Sequence, residues 1–191
     1  MHQHRGYLEA DIIPEPSGTT KPIRIATAQL ERPDRPSTMY CMERYVQAEH
    51  AVAALSSAEN VVFGGDMSWD DHTDLPFPLA SGWVDAWNAA PVKGKAYIDG
   101  INNGNTCEGD WIERIGVGVG GSPSGWIGPR KRSDRFVCKL RDYELKGIEL
   151  IGRYDQAGAG VQYYQLDRKD NFEFRPSCHD GLILTIAPGQ M

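Results

Sequence analysis

Hydrophobic positions along the chain fall into short runs with two different periods. Ile23-Arg-Ile25-Ala-Thr27-Ala-Gln29-Leu30 alternates in part, which predicts a first strand. Ser37 or Thr38 can then cap a helix, and Met42, Tyr45, Val46, Ala48, Ala51, Val52 and Leu55 recur at three- and four-residue steps as far as about Ser57. Val61, Val62 and Phe63 predict a buried strand, and the two glycines after it let the chain turn sharply where the strand ends. Asp66-Met-Ser68-Trp-Asp-Asp71 opens an acidic cluster at that point. Strand, helix, strand is the order of a layered fold with a helix lying on a sheet.

Further on, Pro76 and Pro78 mark a loop, and Gly82-Trp-Val-Asp-Ala-Trp87 predicts a short helical turn with two aromatics to bury. A short strand is expected around Lys95–Ile98. From about 100 to 130 the pattern degenerates into Asn-Gly pairs and Gly116-Val-Gly118-Val-Gly120-Gly121-Ser-Pro123-Ser-Gly125. A phosphate-cradling glycine loop needs a strand before it and a helix after it, but Pro123 and Gly125 follow, so a glycine-rich insertion is the reading. Strands are expected at Asp134–Leu140, Ile148–Ile151 and Val161–Leu166, and Asn171–Phe174 leads into Cys178-His179-Asp180. The run Leu182–Ile186, wholly apolar but for one Thr and bounded by Gly and Pro, reads as a buried central strand. Residues 1–22 read as a tail or the frayed remnant of an earlier element, which leaves 23–187 as the domain.

A chain of 191 residues, 40% hydrophobic and 24% charged, has the size and composition of one globular domain. The net charge of −6 argues against a broad grip on nucleic acid. Arg130, Lys131, Arg132, Arg135, Lys139 and Arg141 lie close together, either as a local grip or, the favoured reading, as a solvated loop and strand face. Cys41, Cys107, Cys138 and Cys178 show no zinc spacing and are expected as reduced thiols of an intracellular protein. No stretch has the length of a membrane span, and the amino terminus lacks the apolar core of a secretory signal.

Three polar residues share one context. Asp66 follows a buried strand, Asp134 opens one and His179 precedes one. Strand ends on one edge of stacked sheets converge, and a carboxylate beside a His–Asp pair is a common means of activating water and steadying negative charge. Each residue also has a structural alternative: Asp66 as a turn cap, Asp134 as a partner for Arg132 or Arg135, His179 as a histidine at the edge of the core.

The motifs Gly-Asp66-Met-Ser68-Trp-Asp-Asp, Arg132-Ser-Asp134-Arg-Phe and Pro-Ser-Cys178-His179-Asp-Gly resemble, in order, three late motifs of the endonuclease/exonuclease/phosphatase superfamily. Leu30-Glu31, with Arg44 and Gln47 in the helix, is similar to the segment that links its catalytic blocks. The runs Gly-Asp-Met-x-Trp-Asp-Asp and Asp-Arg-Phe-Val-Cys-Lys-Leu most resemble plant tyrosyl-DNA phosphodiesterase 2-like proteins. The resemblance implies a partial four-layer α/β sandwich lacking its amino-terminal half, with an active site across one edge of two facing sheets. It implies magnesium-dependent phosphodiester hydrolysis, with DNA carrying a 5′-phosphotyrosyl or other phosphodiester as partner and DNA repair as the setting. The nucleus is then one compartment to test. Asp66, Ser68, Asp134 and His179 take the catalytic positions: Asp66 at the attacked phosphate, His179 held by Asp134 and donating to a non-bridging oxygen.

The departures from that pattern set a second expectation. Ser68 replaces an Asn, Cys178 an Asp, Asp180 an aromatic and Gln29 a His, and no Gln-Glu pair supplying the principal metal carboxylate stands upstream of residue 23. The chain alone is therefore expected to be an impaired hydrolase, with a non-catalytic nucleic-acid-binding or scaffold remnant, or a truncated fragment, as the competing readings. An uncovered sheet face would favour association.

Overall fold

The computed structural model describes residues 6–14, 21–33, 39–91, 104–106, 131–151, 161–165, 170–174 and 179–189. The expected strand at 95–98, nearly all of the glycine-rich insertion, Ser37, Thr38 and Cys178 lie outside them.

Five strands form one mixed sheet: β1 (Tyr7–Ile12), β2 (Ile23–Ala28), β3 (Asn60–Asp66), β4 (Val84–Asp85) and β5 (Asp134–Leu140), in the spatial order β1-β2-β3-β5-β4. Only β2 and β3 run parallel. A parallel pair needs a crossover, and helix α1 (Cys41–Leu55) supplies it. Ala48, Val52 and Leu55 of α1 pack with Ala26, Val61, Phe63 and Val137 on one face of the sheet. On the other face Ile23, Val62 and Cys138 meet α2 (Ala86–Ala89) and Tyr143 and Ile148 of β6 (Tyr143–Ile151). β6 pairs antiparallel with β9 (Gly181–Pro188), so a helix, a sheet and a second sheet are stacked in an α/β sandwich. β7 (Val161–Gln165) and β8 (Asp170–Phe174) form a further antiparallel pair.

Several expectations are corrected. Met42 and Val46 are exposed, because the buried stripe of α1 runs Arg44, Ala48, Val52, Leu55. Each lies two residues from Arg44, about 200° round the helix. Arg44 is tolerated in that stripe because it pairs with Asp74, each side chain only 1% exposed, and its guanidinium also donates to the carbonyls of Glu31 and Met39. Gly64 and Gly65 do not turn the chain, since β3 runs straight through them. They permit close approach: a Cβ on Gly65 would lie 2.1 Å from the Ala28 carbonyl oxygen, and one on Gly64 2.5 Å from the Phe136 ring.

The closing apolar run is not a central strand among the described residues. β9 pairs with β6 alone, with Leu182, Leu184 and Ile186 turned to the core and Ile183 exposed. β1 arises within the stretch read as a tail, as the outer strand of the sheet with all six residues exposed.

Candidate active site

Asp66 is the last residue of β3 and Asp134 the first of β5, and the antiparallel ladder sets them directly opposite one another. The alternation of the strands puts both carboxylates on the face that carries Val62 and Cys138, the face turned to β6 and β9. His179 comes two residues before β9 on that facing sheet. Its Nδ1 lies 2.7 Å from Asp134 Oδ2, and one ligand atom from each of Asp66, Asp134 and His179 falls within 4.8 Å of the others. All three side chains are half-buried. The structure therefore brings these three together at one rim of the sandwich.

The Asp66 carboxylate is held from two sides. Oδ1 accepts the Ser68 backbone N–H at 2.8 Å and the Ser68 hydroxyl at 3.2 Å, while Oδ2 accepts from Gln29 Nε2 at 3.3 Å. Ser68 is buried and has a φ of 47°, unusual for a non-glycine residue. It thus faces Asp66 and sets its orientation. The backbone here is pinned as well: Leu30 N–H donates to the Asp66 carbonyl and Met67 N–H to that of Ser133. Arg44 and Gln47 fasten Glu31 to α1, since Gln47 Oε1 accepts the Glu31 N–H and Arg44 donates to the Glu31 carbonyl.

Within the basic cluster Lys131, Arg132 and Arg135 are buried instead of lying on the expected solvated face, whereas Arg141 is exposed as that reading expects. Arg132 and Arg135 are buried and share Asp71 and Asp85 in a closed ring of ion pairs. Asp85 also caps α2 through the N–H groups of Trp87 and Asn88. Lys139 donates to the Ser56 and Ala58 carbonyls beyond α1, and Arg141 pairs with Glu59. Burial works to raise the Asp71 carboxyl, but hydrogen bonds and charge from Arg132 and Arg135 hold it below the usual range. Since these arginines are engaged by Asp71 and Asp85, Asp134 is left to His179. Burial pushes the Cys138 thiol up to about 12, so it serves as packing and not as a nucleophile.

Sequence reasoning missed Thr106, which lies in the described piece of the insertion and is 1% exposed. Its Oγ1 accepts the Asp134 N–H at 2.9 Å, its own N–H donates to Lys131 O at 3.0 Å, and its carbonyl accepts the Asp180 N–H at 2.8 Å. No periodicity marks such a residue.

Two carboxylates and an imidazole thus meet at the rim of two facing sheets in an α/β sandwich, a fold similar to that of endonuclease/exonuclease/phosphatase structures. No family model matches the chain, and no curated protein matches it. Solved structures do share the fold. An endonuclease/exonuclease/phosphatase family protein from Bacteroides thetaiotaomicron superposes with a TM-score of 0.60 at 12% identity, over 98% of this chain and 56% of that one. D. rerio TDP2 complexed with single strand DNA product gives 0.54 at 19%, over 96% and 62%. The B. thetaiotaomicron mannosyl-6-phosphatase Bt3783 gives 0.52 at 11%, over 88% and 52%. The chain thus spans little more than half the length of these structures.

Proposed function

We propose that the chain is the part of a phosphodiester hydrolase that carries Asp66, Asp134 and His179, acting on a nucleic-acid phosphodiester such as a 5′-phosphotyrosyl end. The observation that carries this reading is the convergence of those three side chains on one rim. The likeness to a TDP2 bound to single strand DNA product supports nucleic acid as the substrate class.

Asp66, its Oδ1 anchored by two Ser68 donors, is oriented to accept a proton from an attacking water. His179 turns Nδ1 to the Asp134 carboxylate, and its imidazolium form presents a second N–H, on Nε2, to a phosphoryl oxygen. Asp134 fixes the ring and balances its charge. The donor set fits a magnesium ion to the extent that such ions are held by one or two carboxylates together with substrate phosphate. Asp66 and Asp134 would hold it, and when bound it neutralises charge that builds on the phosphoryl oxygens.

Hydrolysis of bis-p-nitrophenyl phosphate and of a 5′-phosphotyrosyl oligonucleotide, with and without magnesium, tests the reading. Asp66→Ala and His179→Ala are each expected to lower the rate by about two to three orders of magnitude. A wild-type chain with no turnover above buffer, or a turnover that survives Asp66→Ala, ends it. The binding-module reading is weakened by the internal engagement of Arg132, Arg135 and Lys139.

A further inference from the structure

We infer that Thr106 is a positioning residue: it sets Asp134 against His179 by bonding to the chain on both sides of the pair. The inference rests on the hydrolase reading for its consequence in catalysis but not for its geometry. Three different groups of this one buried residue are engaged: the hydroxyl with Asp134 N–H, the carbonyl with Asp180 N–H, and the amide with Lys131 O. Asp134 opens β5 and Asp180 directly precedes β9 of the facing sheet, and the Nδ1–Oδ2 contact of 2.7 Å spans the same gap. Thr106 therefore acts as a spacer that fixes the separation of the two sheets where the imidazole and carboxylate meet. A β-branched side chain has few χ1 rotamers, so the hydroxyl oxygen is placed with little freedom.

The segment that carries Thr106 is itself seated. Gly104 has a φ of +79°, and a Cβ there would lie 2.5 Å from the Trp87 ring, so the chain lies flat on that indole with no room for a side chain. Trp87 belongs to α2, whose capping residue Asp85 is tied to Arg132 and Arg135 on either side of Asp134. Thr106 is thus braced by the framework that holds Asp134. A hydroxyl oxygen that accepts from Asp134 N–H is something Ser can supply and Val or Ala cannot.

The test is NMR of the full chain labelled with 15N-histidine, without substrate, alongside steady-state kinetics and thermal melts. A slowly exchanging low-field Nδ1–H resonance of His179 is expected in the wild type and in Thr106→Ser, and is expected to be lost or broadened in Thr106→Val. Under the hydrolysis assay Thr106→Val lowers kcat about tenfold or more with KM within about twofold, as a small displacement of reacting groups does, and Thr106→Ser restores it. If Thr106→Val does not melt cooperatively, Thr106→Ala, which removes the hydroxyl without the added methyl, is read in its place. A resonance that persists in the Val or Ala variant overturns the inference, as does its absence from the wild type or a Thr106→Ser variant as impaired as Thr106→Val. The resonance is read without turnover, so an inactive chain ends the hydrolase reading and leaves this test standing.

Discussion

Asp71 shows how one half-exposed carboxylate governs the ground on which the site is built. It closes the ring with Arg132, Arg135 and Asp85, and those arginines flank Asp134 in sequence. Its carboxyl is held below the ordinary value, so the folded state gains stability from its ionisation at pH above the unfolded value of about 3.9. That stability is lost as pH falls through the lower folded value. Asp71→Asn is therefore expected to cost about 1 kcal/mol at neutral pH, a figure discounted because solvent screens the exposed side of the group. It should also flatten the fall of Tm below about pH 4, measured by thermal melts across pH. Asp66, Asp134 and His179 were legible from sequence because each stands at the end of an apolar run. Thr106 and Asp85 were not, since long-range hydrogen bonds leave no period in the chain. Arg132 and Arg135 were misread because a charge run gives no sign of whether carboxylates elsewhere fold onto it.

Among the elements, β5 was the easiest to foresee: its seven residues alternate Phe136, Cys138 and Leu140 with Arg135, Val137 and Lys139, and each set faces a different layer. β1 carries a similar alternation, Leu8, Ala10 and Ile12 against Glu9 and Asp11, but nearby prolines and a polar run obscured it. β9 was placed too deep, because an apolar run does not reveal how many of its faces are covered. The β2–β3 seam depends on a missing side chain. Gly65→Ala would put a methyl 2.1 Å from a backbone oxygen, at a φ of +152° that side chains rarely adopt. The cost is expected to be roughly 2–4 kcal/mol in chemical denaturation. Gly64→Ala meets the Phe136 ring at 2.5 Å, a side chain that can shift, and the Arg135 carbonyl oxygen only at 3.2 Å, and should cost less.

For the whole molecule, the sandwich is unevenly covered. Register places Leu8, Ala10 and Ile12 of β1 on the same face as Thr27, Ile25 and Ile23 of β2. Leu8 is 69% exposed, Ile12 46% and Ile25 36%, while Ile23 is buried under the second layer. An exposed apolar strand on a sheet edge favours association. Sedimentation velocity is expected to show concentration-dependent self-association that the double substitution Leu8→Lys, Ile12→Lys reduces, with the melting temperature changed by no more than a few degrees. A chain that stays monomeric up to high micromolar concentration contradicts this.

The facing of Asp66 and Asp134 across the β3–β5 ladder has one more consequence. The width of the gap between the two acids is set by the pitch of a pleated sheet, so a ligand cannot pry them apart without breaking rungs. Every rung from Asn60↔Leu140 onward acts as part of the same ruler. Swapping a residue on it leaves the gauge intact, whereas inserting or deleting one turns a carboxylate to the far side of the sheet. Selection can therefore change the chemistry at this rim by exchanging side chains, but not by adjusting length.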